Sequence, residues 1–325
     1  MKVNMIQALN QAMDLELQSN PDLVVYGEDV GKDGGVFRVT DGLQAKHGSH
    51  RVFDTPLAEA GIIGLGIGMA AYGLHPVAEV QFSGFMYPGL NQLISHASRI
   101  RNRSRGRFSC PLVVRTPCSG GVKAPEHHSE SSEAYYIHTP GLKVVMPSTP
   151  TDAKGLLTSS MREKDPVIFL EPLRLYRAFK EEVPEEQYAT PLGEAFIRQP
   201  GEDITLITWG TMTLACKEAL ETISQNEKWS IELIDLRTLS PIDWDIIHKS
   251  VRKTGRCVIA QEAPQTLGLA SEVMARILEN DLLSLEAPVR RVTGFDTIMP
   301  LLKNEEHFIP HADRIYAAIQ DVMRF

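Results

Sequence analysis

Two runs of strand–helix alternation, separated by a polar, proline-rich stretch, constrain the fold of this chain more than any other feature. Leu23-Val24-Val25-Tyr26, Leu74 to Phe82, Leu112-Val113-Val114-Arg115, Lys143-Val144-Val145-Met146 and Pro166-Val167-Ile168-Phe169-Leu170 have the length and apolar character of buried strands. Helical patterns fall between them, over residues 4–18, Phe37 to His47, Asp54 onward, Asn91 to Arg101 and Thr151 to Arg162. Such alternation predicts a mainly parallel sheet with helices on both faces. Residues 171–200 change character, with Pro172, Lys180-Glu181-Glu182, Pro184-Glu185-Glu186, Pro191 and Pro200-Gly201, and read as a linker. The alternation then restarts, with strands at 203–208, 231–235, 257–261 and 288–293, helices between them, and a last helix from His311 to Phe325. The expectation is an α/β protein of two domains, residues 1–185 with the linker and residues 186–325, each a mainly parallel sheet covered by helices. A chain of 325 residues is long enough for two such cores.

A net charge of −8 gives no support to binding nucleic acid or an anionic membrane surface. Arg99, Arg101, Arg103, Arg105 and Arg107 form a basic run, read here as a solvated helix end or subunit contact. No apolar run is long enough to span a bilayer. The start, from Val3 to Leu9 with Asp14 and Glu16 following, is amphipathic and acidic, unlike a signal or transit peptide. Cys110, Cys118, Cys216 and Cys257 have no C-x-x-C spacing and fit a reducing compartment, so a cytoplasmic location is expected.

The stretch Asp54-Thr55-Pro56-Leu57-Ala58-Glu59 reads as a helix start, with Asp54 or Thr55 as cap and Pro56 in the first turn. Glu59 is one place too late for a capping box, so it is not spent on the cap. Behind it come Ile62, Ile63, Leu65 and Ile67, with glycines at 61, 64, 66, 68 and 73. That pattern predicts a buried helix that another backbone can approach closely, with an acid at its head. The plain alternative is an acid facing the helix dipole. Glu28 and Asp29 end a strand, where open α/β sheets place site edges. Gln81-Phe82-Ser83-Gly84-Phe85 is an aromatic turn, either core or a flat surface for a ring. Residues 117–130 form a long polar loop with adjacent His127 and His128.

Familiar motifs are absent. Gly66-Ile67-Gly68-Met69-Ala70-Ala71 matches G-x-G-x-x-A but lies inside a helical pattern, so it is not a dinucleotide fingerprint. No phosphate-loop, nucleophile-elbow or H-E-x-x-H motif occurs. His307 and His311 are interrupted by Pro310, and the His127–His128 pair lacks a third ligand, so no metal site is indicated.

Specific stretches along the whole chain resemble one family. They are Tyr26-Gly27-Glu28-Asp29-Val30-Gly31, Asp54-Thr55-Pro56-Leu57-Ala58-Glu59, Pro76 to Phe82, His128-Ser129, Pro140 to Val145, Asp152-Ala153-Lys154-Gly155-Leu156-Leu157 and Asp235-Leu236-Arg237-Thr238-Leu239. The chain is similar to beta subunits of the decarboxylating first component of 2-oxo acid dehydrogenase complexes, in the transketolase-like superfamily. The resemblance implies a pyrimidine-binding domain followed by a C-terminal assembly and docking domain. It implies thiamine diphosphate as cofactor, with Glu59 on the pyrimidine ring, Leu57 and Gln81 in contact with it, and Phe85 supplying a stacking face. Glu28 matches an acid near the channel between active sites. His128, followed by Ser129-Glu130-Ser131, matches the loop histidine that assists acyl transfer to a lipoyl group. Leu112, Ser160, Glu163 and Asp165 match positions that bind potassium through backbone oxygens.

The family's diphosphate-and-magnesium motif, Gly-Asp-Gly followed by Asn-Asn, is missing here and belongs to the alpha subunit. The resemblance therefore implies a two-plus-two heterotetramer of alpha and beta subunits that docks on a dihydrolipoyl acyltransferase core and is inactive as a single chain. Pyruvate is the expected substrate, for conversion to an acetyl group on lipoyl. Branched-chain 2-oxo acids and acetoin are the alternatives, since Gly294-Phe295-Asp296-Thr297 is similar to the branched-chain type. A transketolase or deoxyxylulose phosphate synthase fragment and a non-catalytic scaffold are the weaker readings.

Overall fold

A computed structural model describes residues 1–325. The strands, in chain order, are β1 (Lys2–Val3), β2 (Leu23–Gly27), β3 (Val52–Asp54), β4 (His75–Glu79), β5 (Val113–Cys118), β6 (Lys143–Val145) and β7 (Val167–Pro172). They continue with β8 (Glu181–Glu182), β9 (Phe196–Gln199), β10 (Ile204–Thr208), β11 (Ile231–Asp235), β12 (Thr238–Ser240), β13 (Cys257–Pro264) and β14 (Arg290–Gly294). A seven-stranded sheet has the order β12-β6-β7-β5-β4-β2-β3, and a five-stranded sheet the order β14-β13-β10-β11-β9. Both are parallel except at one edge, where β12 and β9 run antiparallel to their neighbours. β2, β5, β7, β10 and β11 are buried along their whole length, as strands covered on both faces are.

Helices cover the sheets as the periodicity requires. Asn4 caps the helix Met5–Ser19 in a capping box with Gln7. Its Met5, Leu9, Met13 and Leu17 stripe packs into the same core as Leu156, Leu157 and Met161 of the helix Pro150–Met161. That second helix is capped by Thr149 and starts on a proline.

Three local readings need correction. The helix expected from Phe37 to His47 is only Leu43–His47. Gly34, Gly35, Arg38 and Gly42 take left-handed backbone angles, and the Thr40 hydroxyl donates to the Val30 carbonyl, so the preceding turn is fixed without helix. The helix expected from Asp54 begins at Glu59, with Ala58 as a cap that offers no side chain. Asp54 instead accepts from the Gly31 and Lys32 backbone amides, at 2.6 and 3.3 Å. The tract read as a linker is largely packed: β8 pairs with β1, the Tyr188 hydroxyl donates to the Thr151 carbonyl, and the Thr190 amide donates to the Gly155 carbonyl.

The two sheets are tied together twice. β12, from the second half of the chain, completes the edge of the first sheet against β6. Beside it, Arg237 donates to Asp152 at 2.9 Å, and Arg198 joins Asp152 to Asp235, the latter at 2.8 Å. Two of the stretches that carry the resemblance, at 152–157 and 235–239, therefore meet in one buried ion network.

Candidate active site

The carboxyl ends of β2, β4 and β5 lie along one edge of the first sheet, where parallel sheets hold ligands. β2 delivers Glu28 and Asp29, β4 delivers Gln81 and Phe82, and β5 leads into the loop of His128. The helix Glu59–Ala71 lies against this edge. The Tyr26 hydroxyl of β2 donates to the Ile62 carbonyl at 2.9 Å, which fixes the first turn of that helix relative to the sheet.

Glu59 occupies that first turn and makes no capping bond. Burial raises the Glu28 carboxyl above its usual range, and the charges of Glu59 and Asp29 raise it further. Glu28 and Glu59 thus feel each other across the strand end. Gln81 reaches back to Asp29, Nε2 to Oδ2 at 3.4 Å.

The two histidines separate. The His128 ring lies 4.3 Å from the Phe82 ring and 5.1 Å from the Phe85 ring, centroid to centroid. Its Nδ1 is 2.8 Å from the Glu126 carbonyl, which only accepts, so Nδ1 carries a proton and Nε2 is left for other partners. His127 turns away to the Tyr87 ring at 6.1 Å. The loop reaches Phe82 and Phe85 because residue 84 is glycine: a Cβ there would stand 2.3 Å from the His127 carbonyl oxygen.

The expectation of a buried helix with a buried acid is not met within this chain. Glu59 is half-buried, and Gly61, Leu65, Gly68 and Tyr72 form an exposed stripe at helical spacing. Leu57 is 77% exposed and Tyr72 90%. Close approach inside the chain occurs at Gly66, whereas Gly68 faces open space. Two wide clefts, of about 1560 and 950 Å³, lie along the boundary with the second sheet, and neither is lined by Glu59. Glu59 thus lies at the strand ends, outside both clefts.

The donor set at the strand ends fits the ring end of thiamine diphosphate better than the phosphate end. Glu28, Asp29 and Glu59 gather acceptors, which suit the N–H groups of an aminopyrimidine and repel a diphosphate. Phe82, Phe85 and His128 add aromatic faces.

Sequence reading missed the layer beneath. Arg115 on β5 is fully buried, is the register partner of Glu79 on β4, and donates to it at 2.8 Å. It also grips Glu171 on β7 at 2.7 and 3.0 Å, and the Tyr176 hydroxyl donates to the same carboxylate. The signal was present, since each charge interrupts an apolar strand.

At the positions matched to potassium, the Leu112 carbonyl accepts from the Val167 amide and the Ser160 carbonyl from the Glu163 amide. The Glu163 and Asp165 side chains pair with Lys143 and Arg101. No group of three or more His, Cys, Asp or Glu side chains is arranged to hold a metal. Within the basic run, Arg99 and Arg103 donate to the Ile94 and Ser95 carbonyls of the preceding helix. All four cysteines are buried and unpaired, and no helix is long and apolar enough to cross a membrane.

Comparison with known proteins gives a consistent result. Residues 1–178 match the family described as transketolase, pyrimidine binding domain, and residues 193–315 match transketolase, C-terminal domain. The pyruvate dehydrogenase E1 component subunit beta of Acholeplasma laidlawii is 47% identical over 322 residues, 99% of this chain and 98% of that one. The proteins of the same name from Staphylococcus aureus strain MW2 and Staphylococcus epidermidis are 46% and 47% identical, each over 100% of this chain and 99% of its own length. A solved split-gene transketolase, described as an inactive beta4 tetramer, superposes with a TM-score of 0.78 at 22% identity, covering 100% of this chain and 99% of that one. The transketolase-like family depends on thiamine diphosphate. This chain belongs to the family of pyruvate dehydrogenase E1 component beta subunits, built from transketolase pyrimidine-binding and C-terminal domains.

Proposed function

We propose that this chain holds the pyrimidine end of thiamine diphosphate and, with an alpha subunit, decarboxylates pyruvate and passes the acetyl group to a lipoyl group. The observation that carries the reading is Glu59, half-buried at the head of its helix and free of any capping role, at the same strand-end edge as Glu28. Full-length relatives named for pyruvate favour that substrate over branched-chain 2-oxo acids or acetoin.

Bound thiamine diphosphate supplies a carbon nucleophile and an electron sink for loss of carbon dioxide. Glu59 would hold the proton at ring nitrogen 1 of the pyrimidine, and so sets the acid–base state of the 4′-amine. Glu28, with its raised proton affinity, limits the charge beside Glu59. Leu57 and Gln81 would line the ring and Phe85 would stack on it. His128, with Nε2 open, would exchange a proton at the lipoyl sulfur. The backbone oxygens of Leu112, Ser160, Glu163 and Asp165 are the proposed potassium ligands, as hard oxygen donors.

The exposed stripe of Gly61, Leu65, Gly68 and Tyr72 supports assembly, because small residues on a helix face admit another backbone. The partners proposed are alpha subunits that grip the diphosphate and magnesium, a second copy of this chain, and a dihydrolipoyl acyltransferase core. The test is reconstitution with an alpha subunit and measurement of carbon dioxide release from pyruvate and from branched-chain 2-oxo acids. Glu59→Gln is expected to abolish most of the turnover. Near-normal turnover in that variant would overturn the role of Glu59, and a preference for branched chains would overturn the substrate.

A further inference from the structure

The loop that bears His128 is gripped by two carboxylates from the far end of the chain. Glu262, on β13, accepts from the Gly120 amide at 2.6 Å and from the Ser131 hydroxyl at 3.0 Å through one oxygen. Its other oxygen accepts from the Thr211 hydroxyl at 2.7 Å. Glu305, in the short helix Glu305–Phe308, accepts from the Gly121 and Lys123 amides at 2.9 and 2.8 Å through one oxygen, and from the Ser129 hydroxyl at 2.5 Å through the other. Each carboxylate thus joins the outgoing limb of the loop, at 120–123, to the returning limb, at 129–131. Both are buried, 4% and 1% exposed.

Left to itself the loop has little to hold it. Ser119, Lys123 and His127 sit in left-handed backbone conformations that side chains other than glycine disfavour. Its own bonds are few: the Ser119 amide to the Glu130 carbonyl, the His128 amide to the Pro125 carbonyl at 3.3 Å, and His128 Nδ1 to the Glu126 carbonyl at 2.8 Å. The returning limb is also held by the Ser83 hydroxyl, which donates to the Glu130 carbonyl at 2.9 Å. Charge-assisted bonds from buried carboxylates are the strongest restraints on the outgoing limb. Ser129, the neighbour of His128, is itself one of the anchored groups.

We infer that Glu262 and Glu305 are positioning residues by which the second domain sets His128 against Phe82 and Phe85. The inference rests on the proposed role of His128 in acyl transfer. It gives the C-terminal domain a part in the reaction beyond assembly.

The test uses the enzyme reconstituted with its alpha subunit and two assays: decarboxylation of pyruvate with ferricyanide as oxidant, and acetylation of an isolated lipoyl domain. Glu305→Gln and Glu262→Gln are expected to lower lipoyl acetylation roughly tenfold or more, as misplacement of a reacting group does. Ferricyanide-linked decarboxylation should stay within about twofold, since Glu59 is untouched. Combined with His128→Ala, either variant should add nothing to the loss from His128→Ala alone. Additive losses, or equal losses in both assays, would overturn the inference. Hydrogen exchange of the segment 119–131 judges the restraint separately: it should accelerate in both variants while the sheets stay protected, and unchanged exchange would sink the proposal. If His128→Ala leaves acetylation intact, the role of His128 in acyl transfer fails and the positioning claim falls with it, whatever the exchange reads.

Discussion

The Tyr26 hydroxyl stands 2.3 Å from the point where a Cβ on Gly66 would lie, while it donates to the Ile62 carbonyl at 2.9 Å. One phenol therefore both measures the gap between β2 and the helix Glu59–Ala71 and fastens that helix one residue-turn behind Glu59. Gly66→Ala should push the helix off Tyr26 and Leu112. The expected cost is about 1–3 kcal/mol, typical of overpacking, read by thermal denaturation of the isolated chain. An unchanged midpoint would mean that the contact yields freely.

Gly68, two residues further along, has nothing within 4 Å. Gly68→Leu should therefore leave the isolated chain folded, with a helix more favourable by up to about 1 kcal/mol. The same variant should block assembly with the alpha subunit or with a second copy. Size-exclusion chromatography of the mixed subunits checks this, and normal assembly would remove the exposed stripe from any interface.

Arg115 neutralises two carboxylates in the floor of the site. Burial raises Glu79, Arg115 opposes that rise, and Glu171 adds to it. Arg115→Met should cost about 3–5 kcal/mol at neutral pH, because it strands buried charge. The deficit should shrink as pH falls, since Glu79, already raised by burial and no longer opposed by Arg115, can then take up a proton in the folded variant. A deficit independent of pH would show that the loss is one of packing alone.

Glu133 is buried beside Trp209, and burial lifts its carboxyl to about 7, with help from the charge of Glu262. The folded state thus binds a proton that the unfolded state has released above about 4.5. The contribution of Glu133 to stability is complete below the unfolded value and is lost as pH rises through about 7. Glu133→Gln should therefore gain on the original chain by a few kcal/mol between pH 5 and pH 8, in order of magnitude. Paired denaturation curves across that range would reveal it, and parallel curves would refute it.

Asp152 behaves in the opposite sense. Burial alone would raise its carboxyl, but Arg198 and Arg237 outweigh that and hold it below the usual range. Its stabilisation is present above the unfolded value of 3.8 and disappears as pH falls through the lower folded value. Asp152→Asn should cost about 3 kcal/mol at neutral pH, by leaving two arginines without their shared partner. Limited proteolysis near residues 190–200 should quicken in that variant, since the lock between the sheets is weakened.

Much of this architecture could be read from residue order. Strand positions such as 231–235 followed from apolar runs bounded by polar turns, because a strand buried on both faces leaves a local trace. The helix start is not legible at Asp54 because a capping residue and a turn residue look alike in sequence; Asp54 spends its oxygens on Gly31 and Lys32 instead. Burial of that helix does not follow from its composition for a different reason: an exposed apolar face is indistinguishable, in one sequence, from a face meant for the core. Glu59 and His128 came from motif resemblance, since neither acidity nor adjacency names a reaction. Glu262 and Glu305 had no local signal at all, being joined to their loop across 131 to 184 residues of chain.

β12 has a consequence for how the molecule is made. Its three residues, Thr238–Ser240, close the border of a sheet whose other members all precede residue 173. During synthesis the amino-terminal half therefore has that border unpaired until residue 240 emerges, and a gene cut between the halves would yield a first piece with the edge of β6 left open to other strands.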